Sequence, residues 1–208
     1  MLQYATGGGR WYSNADWLSY DVDEYDWYRS FFLTSSLFDD DFYPDWLDPY
    51  TLLPQESEDL SHVWLFNNNL VEALPEELYL LTGLRTLDLA GNKLTGSISS
   101  KIGDIEPLWF FTMFSNVLTG SIPSEVGRLS SLIGLSNLQN KLTGQIPSEL
   151  GSISNLWITI MDGNNLSGTF PTELGLLSNQ VLMRLEDNQV AGKYRKWKKI
   201  ARQTSFTR

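Results

Sequence analysis

A period of 24 residues runs through most of this 208-residue chain and governs what it can fold into. In one unbroken register, six copies begin at Leu60, Leu84, Leu108, Leu132, Leu156 and Gln180. The ninth residue of every copy is an asparagine: Asn68, Asn92, Asn116, Asn140, Asn164 and Asn188. Two residues later comes an aliphatic, Leu70, Leu94, Leu118, Leu142, Leu166 or Val190. A glycine follows at 96, 120, 144, 168 and 192, with Glu72 in its place in the first copy. A unit this small cannot bury an apolar face alone. Repetition at a fixed spacing therefore predicts a solenoid in which each copy packs on its neighbours.

Each copy opens on the pattern L-x-x-L-x-L. The apolar positions of such a short strand face one side, and the strands of successive copies pair in parallel along an inner curve. The predicted fold is an α/β-class, right-handed solenoid. Its parallel sheet lines the concave face, and 3-10 turns, short helices and loops form the convex face. Seven positions per copy are expected to stack inward, in the second copy Leu84, Leu87, Leu89, Leu94, Ile98, Ile102 and Ile105. The asparagine falls where the chain leaves the strand. Its carboxamide is expected to bond both its own turn and the backbone of the adjacent copy. The Ile-Pro pairs at 122–123 and 146–147 open the convex side, where proline removes no ladder bond.

Residue usage narrows the chemistry. The chain has no cysteine, so disulfides, thiolate metal sites and cysteine nucleophiles are excluded, and a single histidine, His62, excludes a histidine metal cage. No apolar run reaches the roughly 18–20 residues of a membrane span. The opening MLQYATGGGR lacks a basic stretch followed by an apolar one, so no secretory leader is expected there. Charge is asymmetric. Seven of the fifteen Lys/Arg lie in 193–208, leaving eight against twenty-five Asp/Glu elsewhere, a balance of −17. A body this acidic repels nucleic acid and anionic lipid, so no nucleic-acid partner is expected. The basic tail, with Tyr194, Trp197 and Ile200 at helical spacing, is read as a C-terminal cap or as an anchor for a membrane surface or acidic partner.

The stretches LTGSIPSEVGRLSSL (118–132) and LTGQIPSELGSISNL (142–156) resemble the 24-residue, plant-type leucine-rich repeat. Upstream, ATGGGRWYSNADWL and DEYDWYRSFF are similar to the N-terminal cap of such proteins, which reads ATGG-x-x-W and then C-x-W-x-G-V-x-C. With LPEELYLLTGL, the cap points to diatom-type members of the class. Tyr25 and Phe32 replace the two cap cysteines and Arg29-Ser30 the Gly-Val pair, so the stapling disulfide is absent. Three regions follow: an aromatic, acidic N-terminal cap (1–59), six repeats (60–192) and the basic tail (193–208). The resemblance implies a receptor-like or adhesion module at the cell surface or outside the cell, non-enzymatic, cofactor-free and engaged in signalling through a protein or peptide partner.

Residues between the leucines of each strand point away from the core, and a water-facing strand should be polar there. Several are apolar instead: Trp64, Phe66, Trp109, Phe110, Phe114, Ile133, Leu138, Trp157, Ile158 and Ile160. The residues expected to bind a ligand on the concave face are Trp64, Phe66, Trp109, Phe110, Phe114, Trp157 and Ile160, because clustered exposed aromatics on a rigid scaffold mark binding surfaces. Trp109, Phe110 and Phe114 are expected to lie on or beside the solvent face, and replacing Trp109 and Phe114 is expected to change stability little. Alternative readings are glycan stacking on Trp109 and Trp157, inhibition of a wall-degrading glycoside hydrolase, and a structural or ice-associated surface. Asp88 and Asp162 are too far apart for a carboxylate pair, and His62 has no nucleophile partner. The acidic loop 38–59, with FDDDFYPDWLDPY, lacks the spacing of a calcium loop, so no metal is expected. Asn165-Leu166-Ser167 forms an N-glycosylation tripeptide.

Overall fold

The computed structural model describes residues 61–192, so the readings placed on the cap (1–59) and the basic tail (193–208) lie outside the described residues. Ten strands of three residues follow in order: β1 (His62–Trp64), β2 (Val71–Ala73), β3 (Thr86–Asp88), β4 (Lys93–Thr95) and β5 (Phe110–Thr112), then β6 (Gly134–Ser136), β7 (Thr143–Gln145), β8 (Ile158–Ile160), β9 (Asn165–Ser167) and β10 (Leu182–Arg184). The opening strands of the six copies form one parallel sheet in the order β1-β3-β5-β6-β8-β10. Its register is the sequence period itself, with His62 opposite Thr86, Thr86 opposite Phe110 and Phe110 opposite Gly134. Two smaller parallel pairs, β2-β4 and β7-β9, run along the flank just after the asparagines.

The core follows the leucine frame. In the second copy Leu84, Leu87, Leu94, Ile102 and Ile105 are fully buried, Leu89 nearly so, and Ile98 is buried to 5% exposure. One continuous apolar cluster runs from Val63 to Leu185. Each asparagine joins two copies. The Asn92 carboxamide donates to Leu89 and Ala90 in its own turn and to Leu65 one copy earlier, while its oxygen accepts from the amides of Asn68 and Leu70. Asn116, Asn140, Asn164 and Asn188 repeat the donor side one copy further on each time, and their oxygens accept from the single amides of Leu94, Leu118, Leu142 and Leu166.

One frame position breaks the rule. Where the other copies place Leu65, Leu89, Met113, Met161 and Leu185, the fourth carries Asn137, fully buried with neither side-chain oxygen nor nitrogen bonded. An unmet buried amide is destabilising by about 1–3 kcal/mol per group, so this copy is the weak point of the core.

The convex side is a column of 3-10 turns: Glu76–Leu80, Ser100–Asp104, Ser124–Arg128, Ser148–Ser152 and Thr172–Leu176. Pro75, Pro123, Pro147 and Pro171 precede four of them in extended conformation, where a missing N–H leaves no bond unmade. These turns stack so closely that a Cβ on Gly127 would lie 2.6 Å from the Glu149 Cβ and 2.7 Å from its carbonyl oxygen. Gly175, in the last turn, has nothing within 4 Å of such an atom. Gly127→Ala should therefore lower stability by about 1–3 kcal/mol through overpacking. Gly175→Ala should be neutral or slightly stabilising. Paired thermal melts check the contrast, and equal shifts for the two variants would refute the stacking.

Candidate functional site

The third and fifth residues of each copy line the inner face of the large sheet. One row runs His62, Thr86, Phe110, Gly134, Ile158, Leu182 and the other Trp64, Asp88, Thr112, Ser136, Ile160, Arg184. Apolar members of these rows gather into a second cluster, separate from the main core. Phe110, Ile158 and Ile160 are buried within it, and Trp64, Trp109, Ile133, Leu138, Trp157 and Leu182 pack half-buried against them.

For Phe110 and Ile160 this differs from the expected placement on the solvent side. Phe110 and Ile160 are each only 2% exposed. The reason is geometric: parallel strands lie about 4.8 Å apart, closer than an aromatic ring is wide. Phe110 stands in register between the small Thr86 and the side-chain-free Gly134, which leaves room for its ring to join the cluster of Ile158 and Ile160 two strands on. Trp64, Trp109 and Trp157 keep part of their surface open, as do Phe66 and Phe114, which are half-buried but do not join the cluster.

Polar groups interrupt this apolar face at its N-terminal side. Asp88 is fully buried; its Oδ1 accepts from the Ala90 amide at 3.0 Å while Oδ2 meets no partner. Burial pushes its carboxyl up to about 7, although the Ala90 bond pulls the other way. Across the sheet, Thr112 is equally buried and its hydroxyl is unpaired. On β1, both ring nitrogens of His62 lack hydrogen-bond partners, and its ring lies 5.5 Å from that of Trp64. Burial, with the charge of Arg85 adding to it, lowers its pKa to about 4 and keeps the imidazole neutral at pH 7. The Arg85 guanidinium stands 5.1 Å over the Trp109 ring, within cation–π range.

The C-terminal side is charged and self-satisfied. Arg184 lies 2.8 Å from the Asp162 carboxylate and 2.9 Å from that of Glu186, and the Glu186 amide donates to Asp162 at 2.8 Å. Burial raises the Asp162 pKa, and the Arg184 charge opposes that shift. Asp88 and Asp162 share no site. Among the described residues no group of three or more His, Asp or Glu is placed to hold a metal ion.

Sequence reasoning singled out the rings and overlooked Thr112 as a site residue. Register carries the missing signal: Thr112 occupies the row position of Asp88 exactly one period later, so two polar groups meet side by side.

The leucine-rich repeat family model matches residues 83–105. Among solved structures, the plant peptide hormone receptor RGFR1 in complex with RGF2 is similar at 33% identity and a TM-score of 0.59, over 60% of this chain and 20% of that one. The Arabidopsis thaliana receptor kinase HAESA, solved with the peptide hormone IDA and the co-receptor SERK1, is similar at 34% identity and a TM-score of 0.60, over 62% and 22%. In the Arabidopsis thaliana BIR3–SERK2 complex the match is 36% identical with a TM-score of 0.57, over 63% of this chain and 69% of that one. The chain thus spans about a fifth of the length of the hormone receptors it matches. No curated protein sequence matches it. Period, sheet register, asparagine ladder and these likenesses agree, and the chain belongs to the plant-type leucine-rich repeat proteins.

Proposed function

We propose that the chain is a non-enzymatic, receptor-like recognition module and that the inner sheet takes an extended peptide. The observation that carries this reading is the inner-face cluster. It offers partly open tryptophans (Trp64, Trp109, Trp157) packed against the buried Phe110, Ile158 and Ile160. Aromatic anchors on a rigid apolar surface carry much of the energy at recognition sites. RGFR1, a plant peptide hormone receptor, and HAESA, solved with the peptide hormone IDA, are both similar to this chain, which favours a peptide over the glycan and hydrolase readings. Among the described residues, Asp162 is committed to Arg184, and Asp88 has Trp64 and Thr112, neither an acid, as its register neighbours.

The test is selection of peptides from a displayed random library on the full chain. Enriched peptides should lose at least tenfold in affinity on Trp109→Ala/Trp157→Ala, about 1.4 kcal/mol or more. Val126→Ala, on the convex side, serves as the control for lost stability and should bind as wild type does. Equal binding to the double variant, with folding verified by circular dichroism, would overturn the proposal.

A further inference from the structure

The flank of the solenoid carries a feature that ligand recognition does not use. Asn165, Leu166 and Ser167 form β9, paired to β7 in a sheet separate from the inner one. Alternation along the strand buries Leu166 completely and turns Asn165 to solvent. The Asn165 amide donates to Leu142 at 2.8 Å, whereas its carboxamide makes no hydrogen bond among the described residues. Ser167 stands two residues on, half-buried on the same side. The equivalent positions in the other copies read Asn69 with Val71, Lys93 with Thr95, Val117 with Thr119, Lys141 with Thr143 and Gln189 with Ala191. Only the fifth copy combines the asparagine with a hydroxyl at the third place.

We infer that Asn165 is an N-glycan acceptor, and that the glycan projects from the β7–β9 flank while the inner face stays open for its ligand. The inference rests on the surface-receptor reading, since the modification belongs to the secretory route. In the transfer, the Asn165 carboxamide nitrogen forms a bond to C1 of the first sugar of a lipid-pyrophosphate-linked oligosaccharide. The C1–oxygen bond breaks, the lipid pyrophosphate leaves, and the amide proton passes to a base of the transferase. An exposed carboxamide with no internal partner gives up no native bond when it is modified. The neighbouring asparagines Asn140, Asn164 and Asn188 each hold the ladder together and could not be modified without breaking it.

The experiment is translation of the full chain, behind a cleavable signal peptide, into microsomes. Protease protection identifies the translocated molecules. Wild type should show one endoglycosidase-sensitive band shift, which Asn165→Gln abolishes and Ser167→Thr preserves. Lys93→Asn in the Asn165→Gln background completes the same tripeptide with Leu94 and Thr95 on the flank strand β4, and should restore one shift. Protected wild-type chains without a glycan would overturn the inference, and so would a shift that persists in Asn165→Gln. A chain glycosylated at Asn165 that captures no peptide would sink the receptor reading alone.

Discussion

Asp88→Asn should stabilise the chain at pH 8 by several kcal/mol and leave it unchanged near pH 4. The Asp88 carboxyl is fully buried with one oxygen unpaired, and burial lifts its pKa from 3.8 to about 7. Between those values the folded chain keeps a proton that the unfolded chain has released. Wild-type stability from this group is therefore intact below the unfolded value and falls by about 1.4 kcal/mol per pH unit until the folded value is passed. The limiting loss is about 4 kcal/mol, and asparagine, which resembles the neutral acid, does not titrate. His62 has the opposite sign. Its pKa is lowered from 6.5 to about 4, so its contribution is present above the unfolded value and disappears as pH falls toward the folded one. In wild type the Asp88 and His62 slopes offset each other from about pH 4 to 6.5; Asp88→Asn removes the first, so the stability of the variant rises with pH relative to that of wild type. Urea denaturation at a series of pH values checks this. A wild-type-to-variant difference that does not change with pH would contradict it.

Phe110→Ala should lower stability by about 3–5 kcal/mol, a penalty typical of a core ring rather than of a surface one. Phe110 is 2% exposed and packs with Ile158 and Ile160 on the face opposite the leucine frame. Removing the ring takes away its own buried area and opens the cluster it shares with Ile158 and Ile160. Leu118→Ala, in the main core, should cost about 2–5 kcal/mol and provides the scale. A Phe110→Ala loss below about 0.5 kcal/mol would be that of an ordinary surface substitution and would show that the inner cluster bears no load.

The leucine frame, the parallel sheet and the convex turns were legible because each depends on a residue's place within its own copy. Leu84, Leu87 and Leu89 are buried in any solenoid of this period, whatever surrounds them. The inner face was legible only as a set of residues. Whether Phe110 is buried depends on what the neighbouring strands place beside it, here a glycine next door and Ile158 on the strand beyond, and that is a property of the sum of copies. Ile160 is buried for the same reason, while Trp109 and Trp157, one residue before their strands begin, stay partly open. Asn137 illustrates the converse. Its frame position was plain from the period, yet a carboxamide in a leucine slot carries no local sign that its partners are missing. The unpaired state of Thr112 likewise becomes visible only once Asp88 is seen beside it.

The claim that the inner sheet is the ligand face is tested most directly by fluorine NMR of the full chain with 5-fluorotryptophan at its eight tryptophans, each resonance assigned by a Trp→Phe variant. On titration with a library-selected peptide, the resonances of Trp109 and Trp157 should shift together and saturate at the same peptide concentration, with Trp64 following at the N-terminal edge. Saturable binding that leaves all three resonances in place would contradict the account.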